Sequence, residues 1–298
     1  MNTSLYKTLI STSILPSFHY PLSSLEMTVH YNPITKEPYL QLPAPCANII
    51  ITPYREHQIK EDTNVMTSSL NDPRVYTWLQ GPPYPFLPEH GEDWIKTKIQ
   101  ENKAVVAALQ DEFENKSQTD PSHQSQPENK FFGQCPFLCI REVGEDPSGA
   151  QDTLIGEIAL IRYSFYEIRR NSWELALVQA HNKQLPVGHE DIVWTFGCTI
   201  RLSTMYYALT NTDYLSPTHH GKGIMSRAVQ AVIRDWAVPR MNMNHLRGSF
   251  VVGNVGSQRV FERNNFEEVG VFKDWLPENP KKSLGKMSIV IMEWKGLL

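Results

Sequence analysis

Apolar positions along this chain fall into short blocks of differing period, and the period changes where turn residues gather. Asn48-Ile49-Ile50-Ile51-Thr52-Pro53-Tyr54 is a β-branched run closed by proline, which predicts the first core strand. Gln58 to Leu70 and Glu92 to Leu109 read as helices, the second with Ile95, Ile99, Val105, Val106 and Leu109 on one apolar face. Phe137 to Val143 and Leu154 to Tyr163 predict a second and third strand, joined as a hairpin through the turn-rich stretch Gly144 to Gly149. A helical or irregular excursion from Glu167 to Leu185 precedes a strand at Asp191 to Gly197. Ile224 to Ala237 is helical, with Ile224, Ala228, Ala231 and Val232 leading to Trp236 one turn later. Ser249 to Val252, Glu267 to Trp275 and Met287 to Trp294 supply the last strands. Glu112 to Lys130 is almost devoid of apolar residues; it cannot bury enough surface to offset the entropy of ordering, so it reads as a flexible surface insertion.

With 298 residues, 41% hydrophobic and 20% charged, the chain suits one large domain with additions better than two small ones. The expected organisation is an extension at 1–26 and a single domain at 27–298 carrying insertions at 112–130 and 198–212. A formal net charge of -4 gives no electrostatic footprint for general nucleic-acid binding, so nucleic acid is not an expected partner. Cys46, Cys135, Cys139 and Cys198 lack CxxC spacing and a matching histidine cluster, which points to neither a metal site nor a disulfide framework. A reducing compartment fits, and no apolar run approaches the roughly 20 residues that cross a bilayer. The expectation is a cytoplasmic protein with no membrane partner. Residues 1–26 are rich in Ser, Thr and Leu, with Lys7 the one firm positive charge and no acid before Glu26. A mitochondrial presequence, which would carry more arginine, a disordered tail and an extension upstream of a start at Met27 all remain open.

The richest chemistry lies in Ser216-Pro217-Thr218-His219-His220-Gly221-Lys222-Gly223-Ile224-Met225. Two glycines one residue apart let the main chain turn tightly, and the helix that follows puts its positive end on the same amides. The stretch from Thr218 to Ile224 therefore reads as an anion cradle suited to a pyrophosphate. It is no dinucleotide fingerprint, because GxGxxG is incomplete, and no P-loop, because no Ser or Thr follows Gly-Lys. Downstream, a strand-like run ends in Asn254-Val255-Gly256-Ser257-Gln258-Arg259-Val260-Phe261, continuing to Phe266.

Together the cradle, the Leu215-Ser216-Pro217 corner before it and the Asn-x-x-Ser segment after it resemble the RimL-like branch of the GNAT superfamily of acyl-CoA N-acyltransferases, over roughly Asn48 to Trp294. The resemblance implies an α+β (mixed α/β) fold: a mostly antiparallel, twisted sheet of about seven strands, splayed between the fourth and fifth and flanked by about four helices. It implies acetyl-CoA as co-substrate, and transfer of acetyl to a primary amine of a small molecule or a protein N-terminus by direct attack in a ternary complex. The alternative it leaves is a non-catalytic CoA-binding or regulatory protein.

On that resemblance, amides of Thr218, His219, His220, Gly221, Lys222, Gly223 and Ile224 would hold the pyrophosphate, and Tyr214 and Leu215 would pair with the pantetheine amides. Asn254 would bond the pantetheine arm and Ser257 would cap the next helix, although both are also ordinary cap and turn residues. Asp213 is the candidate general base. His219 and His220 have suitable ordinary pKa values, but their place suits phosphate contact or exposure better. Lys222 or Arg227 would neutralise phosphate or belong to a solvated face. Asn71 to Phe86 resembles the substrate-side loop, its Trp78 and Phe86 either lining an acceptor pocket or packing onto the core. Two departures stand out: Phe261 sits where many relatives carry a tyrosine acid, and Thr218 where many carry Gln or Arg.

Cys198 to Thr212 breaks the expected run from Phe196-Gly197 into Asp213-Tyr214-Leu215-Ser216-Pro217. Either it is a functional hairpin, with Thr204 to Leu209 apolar enough to pack, or it is a retained short intron whose removal restores FGDYLSP.

Overall fold

The computed structural model describes residues 29–79, 81–118, 131–144, 152–197 and 213–297. The extension at 1–26, the stretch at 119–130 and the segment 198–212 thus lie outside the described residues. β1 (His30–Tyr31), β2 (Pro38–Gln41), β3 (Ile49–Thr52), β4 (Cys139–Val143), β5 (Asp152–Glu157) and β8 (Tyr214–Leu215) form a six-stranded sheet in the order β1-β2-β3-β4-β5-β8. β10 (Phe266–Leu276), β11 (Met287–Trp294), β9 (His245–Val251), β7 (Val193–Phe196) and β6 (Leu160–Arg162) form a five-stranded sheet in that order. Every pairing is antiparallel except that of β7 with β9.

The chain crosses between the sheets three times, at Ile158-Ala159 after β5, between β7 and β8, and between β8 and β9. The single strand expected at Leu154 to Tyr163 is therefore two strands in two sheets. The same is true of the strand leading to the cradle, whose halves are β7 and β8. Those two divisions, with β1 and β2 ahead of the expected first strand, account for eleven described strands where about seven were anticipated. The splay is where it was expected: β7 pairs with β9, but β8 has moved off with the other sheet.

Helices cover both sheets. α1 (Ile59–Leu70), α2 (Pro73–Tyr76) and α3 (Pro88–Gln118) bury Met66, Leu70, Val75, Trp94 and Ile95 in a cluster with Tyr214. α3 runs nine residues past Leu109, so the first part of the expected flexible insertion is helical. Tertiary partners explain the extension: Phe113 stacks on Tyr31 at 4.4 Å, and Arg240 reaches both Glu112 oxygens at 2.7 Å. Partners supply what local composition lacks.

α4 (Trp173–Gln184) starts at Ser172, whose hydroxyl accepts from the Leu175 N–H. α5 (Ile224–Ala231) widens into a π turn over Val232–Ala237 before α6 (Val238–Met241), so the helix expected at Ile224 to Ala237 changes register within itself. Pro239 supplies the reason: it has no N–H to offer the preceding turn, and its ring crowds the carbonyl there. Trp236 is fully buried in this turn and anchors it, its indole donating to the Gln134 carbonyl at 3.3 Å. α7 (Val255–Glu262) completes the set.

One charged cluster lies inside. Arg141 on β4 is fully buried, and its guanidinium bonds both Asp62 oxygens on α1, at 3.1 and 2.5 Å, with Thr52 Oγ1 at 3.0 Å. Asp152 links it onward to Arg55 and Glu37. Burial pushes the Asp62 carboxyl up, against the pull of Arg141. Such an arrangement fixes α1 on the sheet rather than adding much net stability.

Candidate active site

β8 is the free edge of the six-stranded sheet, and its two side chains part to opposite faces. Tyr214 enters the cluster under α1, α2 and α3, while Leu215 packs with Ile224 and Ala228 of α5. The pairing with β5 is close because Gly156 stands opposite Leu215: a Cβ there would lie 2.3 Å from the Tyr214 carbonyl oxygen. Ser216 N–H donates to the Ile155 carbonyl at 2.7 Å. Since antiparallel bonding alternates along a strand, Leu215 turns its N–H and C=O to the open side. The carbonyl accepts from His220 Nε2 at 2.9 Å, which leaves the Leu215 amide on the open edge.

Beyond Leu215 the chain makes a single 3-10 turn, Pro217–His219, and then the cradle. Gly221 and Gly223 have φ of 76° and 75°, the left-handed region that glycine alone enters freely. Gly223 is the N-cap of α5, and no side chain caps that first turn. Its N–H groups keep their capacity for an external anion. At Gly221 a Cβ would meet nothing within 4 Å, so the turn presents bare main chain to open space. These features fit a pyrophosphate group. Lys222 is exposed. Arg227 folds back, its Nη1 donating to the Gly223 carbonyl at 3.2 Å, and Ser69 Oγ meets Ser216 Oγ at 2.9 Å, tying α1 to the mouth of the cradle.

The histidines are spoken for. His219 Nδ1 bonds Thr218 Oγ1 at 3.0 Å, and its Nε2 lies 3.3 Å from Glu142 Oε2. With His220 on the Leu215 carbonyl, both rings brace the turn.

The second motif reaches the first through α7. Asn264 Nδ2 donates to the Ser226 carbonyl at 3.0 Å, joining the end of α7 to the first turn of α5. Asn254 Oδ1 accepts the Ser257 N–H at 3.1 Å, so Asn254 is the cap and Ser257 the residue capped, the reverse of the role expected for Ser257. Phe261 is core: it stacks on Phe250 and meets Phe266 edge-on at 5.0 Å, and it lies against Gly248. Phe86 is buried, while Trp78 is half-buried, its ring 3.9 Å from where a Cβ on Gly253, just past β9, would lie. Asn71 holds the loop shut, its side chain bonding both the N–H and C=O of Phe86.

Two carboxyls flank β8. Asp213 Oδ1 accepts the Ala159 N–H at 2.8 Å, and burial pushes its carboxyl up to about 7, against the pull of that bond. Glu157 is Cα partner to Tyr214, and its Oε1 accepts the Trp94 indole N–H at 2.9 Å. Burial pushes the Glu157 carboxyl up to about 8; the Trp94 bond, Lys98 and the Tyr54 hydroxyl oppose the shift, and Asp213 adds to it. Glu157 Oε2 and Tyr214 Oη are buried without hydrogen-bond partners among the described residues. Sequence reasoning passed over Glu157, and its one available signal was a charge closing the apolar run Leu154-Ile155-Gly156.

Residues 208–267 match the acetyltransferase (GNAT) domain family. That segment runs from just before β8 through the cradle and α7 to the start of β10. Over 58 residues the chain is 34% identical to a probable N-acetyltransferase, YjcK, of Bacillus subtilis (strain 168), a stretch covering 20% of this chain and 32% of that protein. The match therefore spans about a third of the curated relative's length. Among solved structures, RimL, a ribosomal L7/L12 alpha-N-protein acetyltransferase, aligns over 91% of this chain and 99% of its own, with a TM-score of 0.49 and 10% identity. A GNAT-family acetyltransferase from Bacillus anthracis aligns over 86% of this chain and 96% of its own, with a TM-score of 0.46 and 12% identity. The mixed α/β architecture, with β8 splayed from β9 and the cradle opening α5, is the arrangement expected from the sequence. Among the described residues no group of His, Cys, Asp or Glu could hold a metal ion, and no helix is long and apolar enough to cross a membrane.

Proposed function

We propose that this protein is an acetyl-CoA-dependent N-acetyltransferase acting on a primary amine of a small molecule or a protein N-terminus. The observation that carries the reading is the pair of left-handed glycines at an uncapped helix start, directly after a strand whose outer edge is open. Amides of Gly221, Lys222, Gly223 and Ile224 bind the pyrophosphate, whereas those expected at His219 and His220 already donate to the Ser216 and Pro217 carbonyls, and the open edge at Leu215 receives the pantetheine arm. Direct transfer needs an unprotonated amine: its nitrogen attacks the thioester carbonyl, the C–S bond breaks, and the amine proton leaves for a carboxylate while the thiolate departs. The Leu215 N–H, turned outward, is placed to stabilise the developing oxyanion.

Asp213 and Glu157 are the proton acceptors in reach of β8. Asp213 has one oxygen held by the Ala159 N–H, whereas Glu157 keeps Oε2 without a partner beside the Tyr214 hydroxyl. Glu157 is therefore the stronger base candidate, with Tyr214 between it and the open edge. Acceptor approach fits the side of α1, α2 and α3, onto which Tyr214 faces. Three free, buried cysteines among the described residues, Cys46, Cys135 and Cys139, accord with a reducing, cytoplasmic setting.

The non-catalytic alternative draws on Phe261, whose place in the core removes the tyrosine acid of many relatives. Calorimetry with CoA, followed by an acceptor screen with acetyl-CoA read by free thiol, separates the two. Binding with turnover on an amine or peptide supports the enzyme, binding without turnover on any acceptor supports the alternative, and no binding sinks both.

A further inference from the structure

β5–β8 and β6–β7 are two pieces of one ladder. Leu160, Ile161 and Arg162 face Phe196, Thr195 and Trp194. Carried back along the chain, that register would set residues 199 and 200 opposite Glu157 and Gly156. Tyr214 and Leu215 stand there instead, each fifteen positions further on. The segment 198–212 is fifteen residues long.

The hydrogen bonds keep the same count. Tyr163 N–H donates to the Val193 carbonyl and Gly197 N–H to the Ala159 carbonyl, both in the first register; Ser216 N–H donates to the Ile155 carbonyl in the register offset by fifteen. Bonded pairs alternate in phase across the gap, as one antiparallel ladder requires. The two ends of the gap also lie close together. A Cβ on Gly197 would lie 3.4 Å from Asp213 Oδ2, and Gly197 leaves the ladder at φ 88°. At the break, Ala159 N–H is taken by Asp213 Oδ1, where an unbroken strand would offer the Gly197 carbonyl.

We infer that residues 198–212 are a register-neutral insertion into a single strand running from Val193 to Leu215, and that a chain lacking them forms that strand without a break. In the shortened chain Asp213 falls opposite Ile158, the Gly197 carbonyl accepts from Ala159, and the Asp213 carboxylate is released at the mouth of the proposed site. The insertion thus decides whether Asp213 serves the ladder or the cleft. The ladder stands on the pairing alone; only the consequence for the site rests on the proposed function.

Deletion tests this by number. Side chains alternate faces along a strand, so a deletion one residue short forces a bulge or a slip that turns Tyr214 and Leu215 to the wrong faces. The full chain, a chain lacking 198–212 and a chain lacking 198–211 are compared by calorimetry and by amide exchange over 155–163 and 213–216. The fifteen-residue deletion is expected to melt no lower than the full chain and to protect these amides better, and the fourteen-residue deletion to melt several degrees lower. Asp213→Ala is expected to lower the melting temperature of the full chain and leave that of the fifteen-residue deletion unmoved. A fifteen-residue deletion that fails to fold, or a fourteen-residue deletion that matches it in melting and protection, overturns the inference. CoA calorimetry runs alongside: loss of binding in every chain with the stability pattern intact counts against the proposed function and leaves the ladder standing.

Discussion

Glu157 and Tyr214 stand directly opposite one another on β5 and β8, and each buries a polar atom that no described residue satisfies. An unpaired buried carboxyl oxygen beside an unpaired phenol is costly to keep, by about 1–3 kcal/mol for each such group. At a free sheet edge next to an anion cradle, that arrangement suits a group that must change protonation.

Glu157→Gln tests this through pH. The folded-state carboxyl is raised to about 8, above its unfolded value of roughly 4.3, so the folded protein holds the extra proton between those limits. Stability from this group is fully present below the unfolded value and is lost as pH rises through about 8. Glutamine keeps the acceptor for Trp94 but cannot ionise. The variant should melt close to the parent at pH 4 and above it at pH 8.5 by calorimetry, while acetyl transfer loses the rising limb that the parent shows toward pH 8. A parent and variant with parallel melting profiles would return Glu157 to ordinary core.

Gly221→Val should weaken CoA binding tenfold or more. The position has φ 76° and open space beside it, so the effect comes from forcing a branched residue out of the left-handed region, a strain of about 1–2 kcal/mol, and from covering the amides that face the phosphate. Calorimetric titration with CoA checks it; parent-like affinity in a folded variant refutes the cradle.

At Asn254 two roles can be separated. Asn254→Ala removes the α7 cap and should cost about 0.5–2 kcal/mol in a urea melt. Asn254→Asp keeps the capping oxygen and loses the amide nitrogen. Parent-like stability with weaker CoA binding in the aspartate variant would place the amide on the cofactor; unchanged binding would leave Asn254 a cap alone.

Asp62→Ala addresses the fold rather than the site. It strands the Arg141 guanidinium in the interior, and loss of one partner of a buried pair costs about 3–5 kcal/mol. Chemical denaturation should show that loss. A change below about 1 kcal/mol would mean that water or Asp152 replaces Asp62.

The sequence by itself determined the local elements and the cradle. A β-branched run marked β3, apolar periodicity marked α3 and α5, and the spacing of Gly221 and Gly223 marked a turn whose backbone needs glycine, because these signals depend on a residue's own conformational preferences and its near neighbours. Only the tertiary structure decided what depends on distant partners. Phe113 and Glu112 prolong α3 because Tyr31 and Arg240 meet them. The setting of Glu157 was illegible for the same reason: Trp94 and Tyr214 come from elements far apart in the chain, and burial by those elements raises its carboxyl. The continuity of β7 with β8 is likewise a matter of register, which exists only once β5 and β6 lie beside them.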